Sequence, residues 1–143
     1  MKAANLHDAW ASPDNSRLTP KQFSFRLPIH VAAKLAALCD MYPRKTRTQI
    51  IADLLASALD ELEEKLPMEL GYPADDDESE HYARQYAEEK GFDYEKPYHL
   101  SGPRAKFRNL ANEYFEALEK ELGNESPAPL FEPKYISESQ LKK

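Results

Sequence analysis

A short stretch of strict alternation between polar and apolar side chains constrains this chain most. From position 22 the residues run as follows: Gln22, Phe23, Ser24, Phe25, Arg26 and Leu27. A period of two predicts a β-strand with one polar and one apolar face. Pro28 ends the strand, because proline lacks the N–H that a β-ladder needs and suits the first turn of a helix.

This strand has no partner nearby in the sequence, and the sequence predicts no other strand. An unpaired strand leaves its backbone polar groups without hydrogen bonds, so it must pair with a strand from elsewhere. A second copy of the same chain is the simplest source. The pattern therefore predicts a homodimer joined by one intermolecular, two-stranded antiparallel ribbon.

Two helices are predicted after Pro28. In the first, over residues 29–41, apolar side chains recur at helical spacing and continue just past its end: Val31, Leu35, Leu38 and Tyr42. Pro43 then breaks the pattern. Thr46 and Gln49 form a capping-box pair that begins the second helix, which we expect to run to about Lys65 because Pro67 follows.

The order of strand, helix, short turn and helix over residues 21–62 resembles the ribbon-helix-helix DNA-binding proteins, such as the Arc and MetJ repressors. The resemblance rests on the sequences QFSFRLP at 22–28 and TRTQII at 46–51. It implies a homodimer whose ribbon contacts bases of double-stranded DNA, while the start of the second helix binds phosphate. Family members often have glycine in the turn between the helices, whereas this chain has Pro43, Arg44 and Lys45.

The polar face of the strand also suits base recognition on physical grounds. Gln22, Ser24 and Arg26 project together, because alternate residues of a strand point to the same side. A two-stranded ribbon fits the major groove, where arginine pairs with guanine, glutamine with adenine and serine with several bases. These three residues are the candidate base-reading set. A polar solvent face on an edge strand is the alternative.

The start of the second helix is the candidate phosphate site, because free backbone N–H groups and the helix dipole attract anions there. The candidate phosphate-binding residues are Lys21, Arg44, Lys45, Thr46, Arg47 and Thr48. Ordinary helix capping by Thr46 is the alternative, and the two roles are compatible.

The net charge of −6 hides an uneven distribution. Residues 1–58 hold eight basic and four acidic residues, giving +4, whereas residues 59–143 hold 11 basic and 21 acidic residues, giving −10. A basic front and an acidic remainder suit a protein that meets DNA with one end. Two unrelated surfaces that drifted apart in composition are the alternative.

The sequence predicts a mostly α fold, namely a ribbon-helix-helix homodimer with additional C-terminal helices. We divide the chain into an ordered or semi-ordered N-terminal arm of no assigned secondary structure, the DNA-binding module, an acidic helical region and an extended or flexible, proline-rich tail: residues 1–20, 21–66, 67–123 and 124–143. Within the acidic region, helices are expected at about 78–90 and 103–122. Residues 71–73 are expected to form a turn and residues 92–102 a loop.

No catalytic, metal or cofactor site is predicted. The four histidines are scattered, no zinc-ligand spacing occurs, and four glycines supply no glycine-rich phosphate loop. The single Cys39 lies in an apolar helical pattern, which favours a structural thiol. Four tyrosines of the acidic region are expected to pack rather than stack on bases, because their surroundings repel nucleic acid: Tyr82, Tyr86, Tyr94 and Tyr98.

The resulting expectation is a cytoplasmic, sequence-specific DNA-binding protein that represses its own or neighbouring genes and is not an enzyme. No long apolar run or signal peptide is present, so no membrane partner is expected. The last long helix would dock on the dimer or build a higher oligomer on DNA. Two alternatives remain. One is an antitoxin whose acidic C-terminal half binds a protein partner, and the other is an accessory DNA-binding protein of plasmid or mobile-element processing.

Overall fold

The structure, a computed structural model, describes residues 3–10, 18–19 and 21–141. These residues form mainly helices together with a small antiparallel sheet, so the predicted mostly α class is confirmed. The chain divides into two compact units, Met1–Glu64 and Lys65–Lys143. The elements in chain order are a 3-10 turn Ala3–Asn5, α1 Leu6–Trp10, α2 Ile29–Met41, α3 Arg47–Lys65, β1 Glu69–Pro73, α4 Asp77–Lys90, β2 Tyr98–Ser101, α5 Gly102–Glu121, β3 Tyr135–Ile136 and α6 Glu138–Leu141.

The first unit is built around α2 and α3, both at the positions that the sequence predicts. α2 follows directly on Pro28, whose carbonyl accepts hydrogen bonds from the N–H groups of Val31 and Ala32 at 3.1 and 3.0 Å. The core is small, with three buried apolar side chains, Leu6, Trp10 and Ile50. The partly buried side chains around it are Leu35, Leu38, Cys39, Tyr42 and Leu54.

The N-terminal arm, for which the sequence predicts no particular secondary structure, forms a 3-10 turn and α1 over residues 3–10. Leu6 and Trp10 lie one helical turn apart in α1 and pack into the core, where they are only 3% and 7% exposed. Trp10 Nε1 donates to Asp53 Oδ2 of α3 at 2.5 Å, and His7 Nδ1 lies 2.6 Å from the Tyr42 hydroxyl. Burial against a distant helix stabilises a segment that is too short to be helical alone. The rest of the arm, residues 1–2, 11–17 and 20, lies outside the described residues.

A three-stranded antiparallel sheet in the second unit corrects three predictions. Its order is β1-β2-β3, whereas the sequence led us to expect a turn at 71–73, a loop over 92–102 and no strand besides 21–28. Glycine in a strand often marks a close approach of another backbone. A Cβ on Gly71 would lie 2.7 Å from the carbonyl oxygen of His99 on β2, so this position needs glycine for pairing rather than for turning.

The two long helices of the second unit follow the sequence closely. Asp76 caps α4 by accepting the Ser79 N–H at 2.7 Å, and this bond lowers the pKa of the Asp76 carboxyl. Gly91 ends the helix in the left-handed conformation with a φ of 80°. α5 begins straight after β2 and packs against β1 and β2.

Residues 124–141, predicted as part of an extended or disordered tail, form little helix or strand but contact α5 and β2. The Asn112 side chain of α5 binds both backbone groups of Phe131, accepting its N–H at 2.7 Å and donating to its carbonyl at 3.0 Å. Arg108 donates to the Glu132 carbonyl at 3.0 Å. Farther on, β3 pairs with β2, and Ile136 is 2% exposed. The prolines therefore lie in a segment that side chains of α5 hold in place.

Two of the tyrosines that are expected to pack lie largely exposed. Tyr82 and Tyr86 of α4 are 62% and 56% exposed, because they lie on the side of the helix that carries no buried residue. Tyr94 and Tyr98 are half-buried, as expected of packed rings.

Candidate nucleic-acid interface

Residues 22–28, the predicted strand, form neither helix nor strand in the single chain, and every one of them is exposed. Gln22, Ser24 and Arg26 are thus accessible to a ligand. The apolar side chains between them are also uncovered, with Phe23 66% and Phe25 73% exposed. The only strands among the described residues are β1, β2 and β3. The ribbon needs a second chain, and its formation stays a prediction.

The apolar surface of α2 and α3 is only partly covered. α2 contains no buried residue, although its composition is strongly apolar, and Ile29 at its start is 90% exposed. On α3, three leucines at helical spacing are each about half exposed: Leu55, Leu59 and Leu62. The first unit therefore presents, in one chain, more apolar surface than its small core covers.

The start of α3 has the geometry of a capping box, as predicted. The Thr46 N–H donates to Gln49 Oε1 at 2.9 Å, and Thr46 Oγ1 accepts the Gln49 N–H at 3.1 Å. No described group accepts the N–H of Arg47 or Thr48, the first two residues of the helix. These two donors point out of the helix start and could bind an anion.

The turn before α3 forms without glycine. Pro43, Arg44 and Lys45 connect the helices, and the Lys45 N–H donates to the Tyr42 carbonyl at 3.1 Å. No described non-glycine residue has a positive φ. The departure from the family's glycine-containing turn therefore requires no strained backbone, because every residue of this turn adopts conformations open to L-amino acids.

The structure places the candidate phosphate-binding residues in two groups. Arg44, Thr46, Arg47 and Thr48 surround the start of α3 and are exposed, and Lys45 beside them is half-buried. Lys21 stands apart, at the exposed beginning of the base-reading segment. The intervening helix α2 is about 20 Å long at 1.5 Å per residue.

The charge of α3 is uneven along its length in a way that suits an anion site at its start. Its first residue is Arg47, and its last turns carry Asp60, Glu61, Glu63 and Glu64. At 1.5 Å per residue the acidic end lies about 20–25 Å from the basic start, which is well beyond the Debye length of about 8 Å at physiological salt. The acidic end therefore weakens anion binding at the start of α3 very little.

Sequence reasoning missed the role of α1 in this region. Trp10 and Leu6 pack against Ile50, which lies in the first turn of α3, and so anchor the helix just behind the candidate phosphate site. The available signal was the spacing of Leu6 and Trp10, four residues apart, which is typical of one face of a helix.

In the described part of the chain, no group of three or more His, Cys, Asp or Glu side chains could hold a metal ion. Among the same residues, no helix combines the length and apolarity that crossing a bilayer requires.

Comparison with family models, with curated proteins and with solved structures found no match to this chain. The assignment of the candidate interface therefore depends on its own residues and geometry.

Proposed function

We propose that this protein is a sequence-specific DNA-binding protein that acts as a homodimer and represses transcription of its own or neighbouring genes. Two copies of residues 22–26 form an antiparallel ribbon in the major groove, where Gln22, Ser24 and Arg26 contact base edges. The start of each α3 holds a backbone phosphate on either side of the ribbon. The observation that carries the proposal is that residues 22–27 are exposed along their whole length although polar and apolar side chains alternate in them.

Energetics favour a second copy as the cover for the apolar face. Burying a phenylalanine side chain is worth about 1.5–3 kcal/mol, so Phe23 and Phe25 of both chains would together contribute roughly 6–12 kcal/mol to dimer formation. The ordering of the ribbon offsets part of this gain. In a single chain most of this stabilisation is absent, because the two rings are 66% and 73% exposed.

The antitoxin alternative, in its sequence-based form, requires an acidic C-terminal segment that folds on a partner. The described contacts of residues 124–141 with α5 and β2 do not favour that form, because Asn112 and β2 already hold the segment. The structure offers no observation that favours an accessory role in DNA processing over repression.

The test is binding to the DNA upstream of the protein's own gene, measured by gel shift and footprinting. Arg26→Ala should cost about 1–3 kcal/mol and relax the base preference, because it removes a bidentate interaction with a base. Arg47→Ala should weaken binding to all sequences alike. It should also reduce the slope of log affinity against log salt by about one, since one phosphate is no longer neutralised.

Lys34→Ala is the matched control, since Lys34 is an exposed basic residue of α2 outside both candidate groups. It should leave affinity and base preference close to those of the unmodified protein. If Arg26→Ala changes neither affinity nor base preference, the assignment of residues 22–26 as the base-reading segment is wrong.

A further inference from the structure

One face of α4 carries exposed aromatic rings between two glutamates, with Lys90 beside Tyr86. Residues four and seven positions apart lie on the same side of a helix, which places Glu78, Tyr82, Tyr86 and Glu89 together. Phe92 follows just beyond the helix end. We call these five residues the α4 aromatic face. Its three rings are 62%, 56% and 53% exposed in chain order.

Phe92 is held in place by the backbone at the end of α4. The Phe92 N–H donates to the Ala87 carbonyl at 3.1 Å, and the Gly91 N–H donates to the Glu88 carbonyl at 3.3 Å. These two bonds form a Schellman motif, which Gly91 permits through its positive φ. The ring of Phe92 consequently packs edge-on against Tyr86, with 5.9 Å between centroids. Phe92 and Tyr86 thus form a preformed pair of rings.

Within the described residues, the acidic groups of this face lack the hydrogen-bond and ion-pair partners that the other acidic residues stabilising α4 have. Asp76 caps α4, and Glu80 pairs with Arg84 at 2.9 Å and with Lys96 at 3.4 Å. These interactions lower the pKa of the Glu80 carboxyl, with the Arg84 hydrogen bond as the main cause. No described cation pairs with Glu78 or Glu89. Their charge is therefore available to a ligand.

The aromatic rings of this face also favour a cationic ligand. The face of a tyrosine ring attracts Lys and Arg side chains, and this unit uses that interaction elsewhere, with the Arg84 guanidinium 4.7 Å from the Tyr94 ring centroid. Lys90 Nζ lies 5.8 Å from the Tyr86 ring centroid. Nucleic acid is disfavoured because carboxylates flank the rings.

From this combination we infer that the α4 aromatic face is a docking site for an arginine- or lysine-rich segment of a partner protein. Charge complementarity selects the occupant, since carboxylates and ring faces both bind cationic side chains. The inference goes beyond DNA binding and does not depend on it, because none of these residues belongs to the candidate nucleic-acid interface.

The test measures binding of fluorescein-labelled nonaarginine to the full chain by fluorescence anisotropy at about 0.15 M salt. The double variant Tyr82→Ala/Tyr86→Ala should weaken binding about fivefold to thirtyfold, the equivalent of two exposed cation–π interactions. Tyr82→Phe/Tyr86→Phe keeps the rings and should bind within about threefold of the unmodified protein. Both variants should leave DNA binding unchanged.

A matched control distinguishes binding at the α4 aromatic face from general attraction of nonaarginine to the net negative charge of the protein. Tyr114→Ala removes a tyrosine of α5 that is 69% exposed, and Glu113→Gln beside it removes one charge. This control should bind nonaarginine like the unmodified protein, whereas Tyr82→Ala with Glu78→Gln should not. Equal weakening by the two variants would overturn the inference, as would no binding of nonaarginine to the unmodified protein. A smaller oligomer for Tyr82→Ala/Tyr86→Ala in size-exclusion chromatography would also overturn it, since a second copy would then be the occupant.

Discussion

Trp10 connects the N-terminal segment to the helix that carries the candidate phosphate site. Its ring packs edge-on against Tyr42 with 4.9 Å between centroids, and its indole N–H binds Asp53. A buried tryptophan whose N–H has a partner combines a large apolar contribution with a fixed orientation. The side chain thus stabilises α3 close to its first turn.

Trp10→Ala should lower the free energy of unfolding of the first unit by about 3–5 kcal/mol, the usual cost of truncating a buried tryptophan. Trp10→Phe should cost clearly less, because it keeps most of the packing and loses mainly the hydrogen bond to Asp53. Urea unfolding measures both values. Leu18→Ala is the control, since Leu18 is 61% exposed. Equal stability of Trp10→Ala and this control would show that α1 does not pack as described.

At the scale of elements, local signals predicted helices well. The capping box of Thr46 and Gln49, the stop at Gly91 and the break at Pro43 each depend on residues within a few positions of one another. β1 to β3 depend instead on partners far away in the chain, such as Leu70 opposite Leu100 and Tyr98 opposite Ile136. Pairing over such distances leaves no periodic pattern in strands of two to five residues, so the sequence did not reveal it.

Whether residues 124–141 are held in place can be tested directly by mutation. Ile136→Ala should lower the free energy of unfolding of the second unit by about 2–5 kcal/mol, because the side chain is buried beside β2. Leu130→Ala, a similar truncation in the same segment, should cost much less, since Leu130 is 50% exposed. Urea unfolding of both variants decides the matter. If neither variant loses stability, residues 124–141 are flexible, as the sequence alone suggested.

At the scale of the whole molecule, the sequence identifies the residues of the candidate interface. The ribbon that they are proposed to form requires two chains. The alternation over residues 22–27 identifies which side chains share a face, and the structure leaves both faces exposed. A ribbon exists only when two copies pair, so neither the pattern nor one chain can fix its register. The sequence predicts the acidic second unit only as helical, because its sheet depends on contacts between residues far apart in the chain.

The most direct test of this account is whether residues 22–26 of two chains pair with each other. A dimer mixed from isotope-labelled and unlabelled chains allows nuclear Overhauser effects to be filtered for those between chains. We expect interchain effects between backbone protons within 22–26, arranged as in an antiparallel ribbon, with Phe23 and Phe25 protected from solvent. A monomeric protein, or a dimer without interchain effects in this segment, would contradict the proposed DNA-reading ribbon.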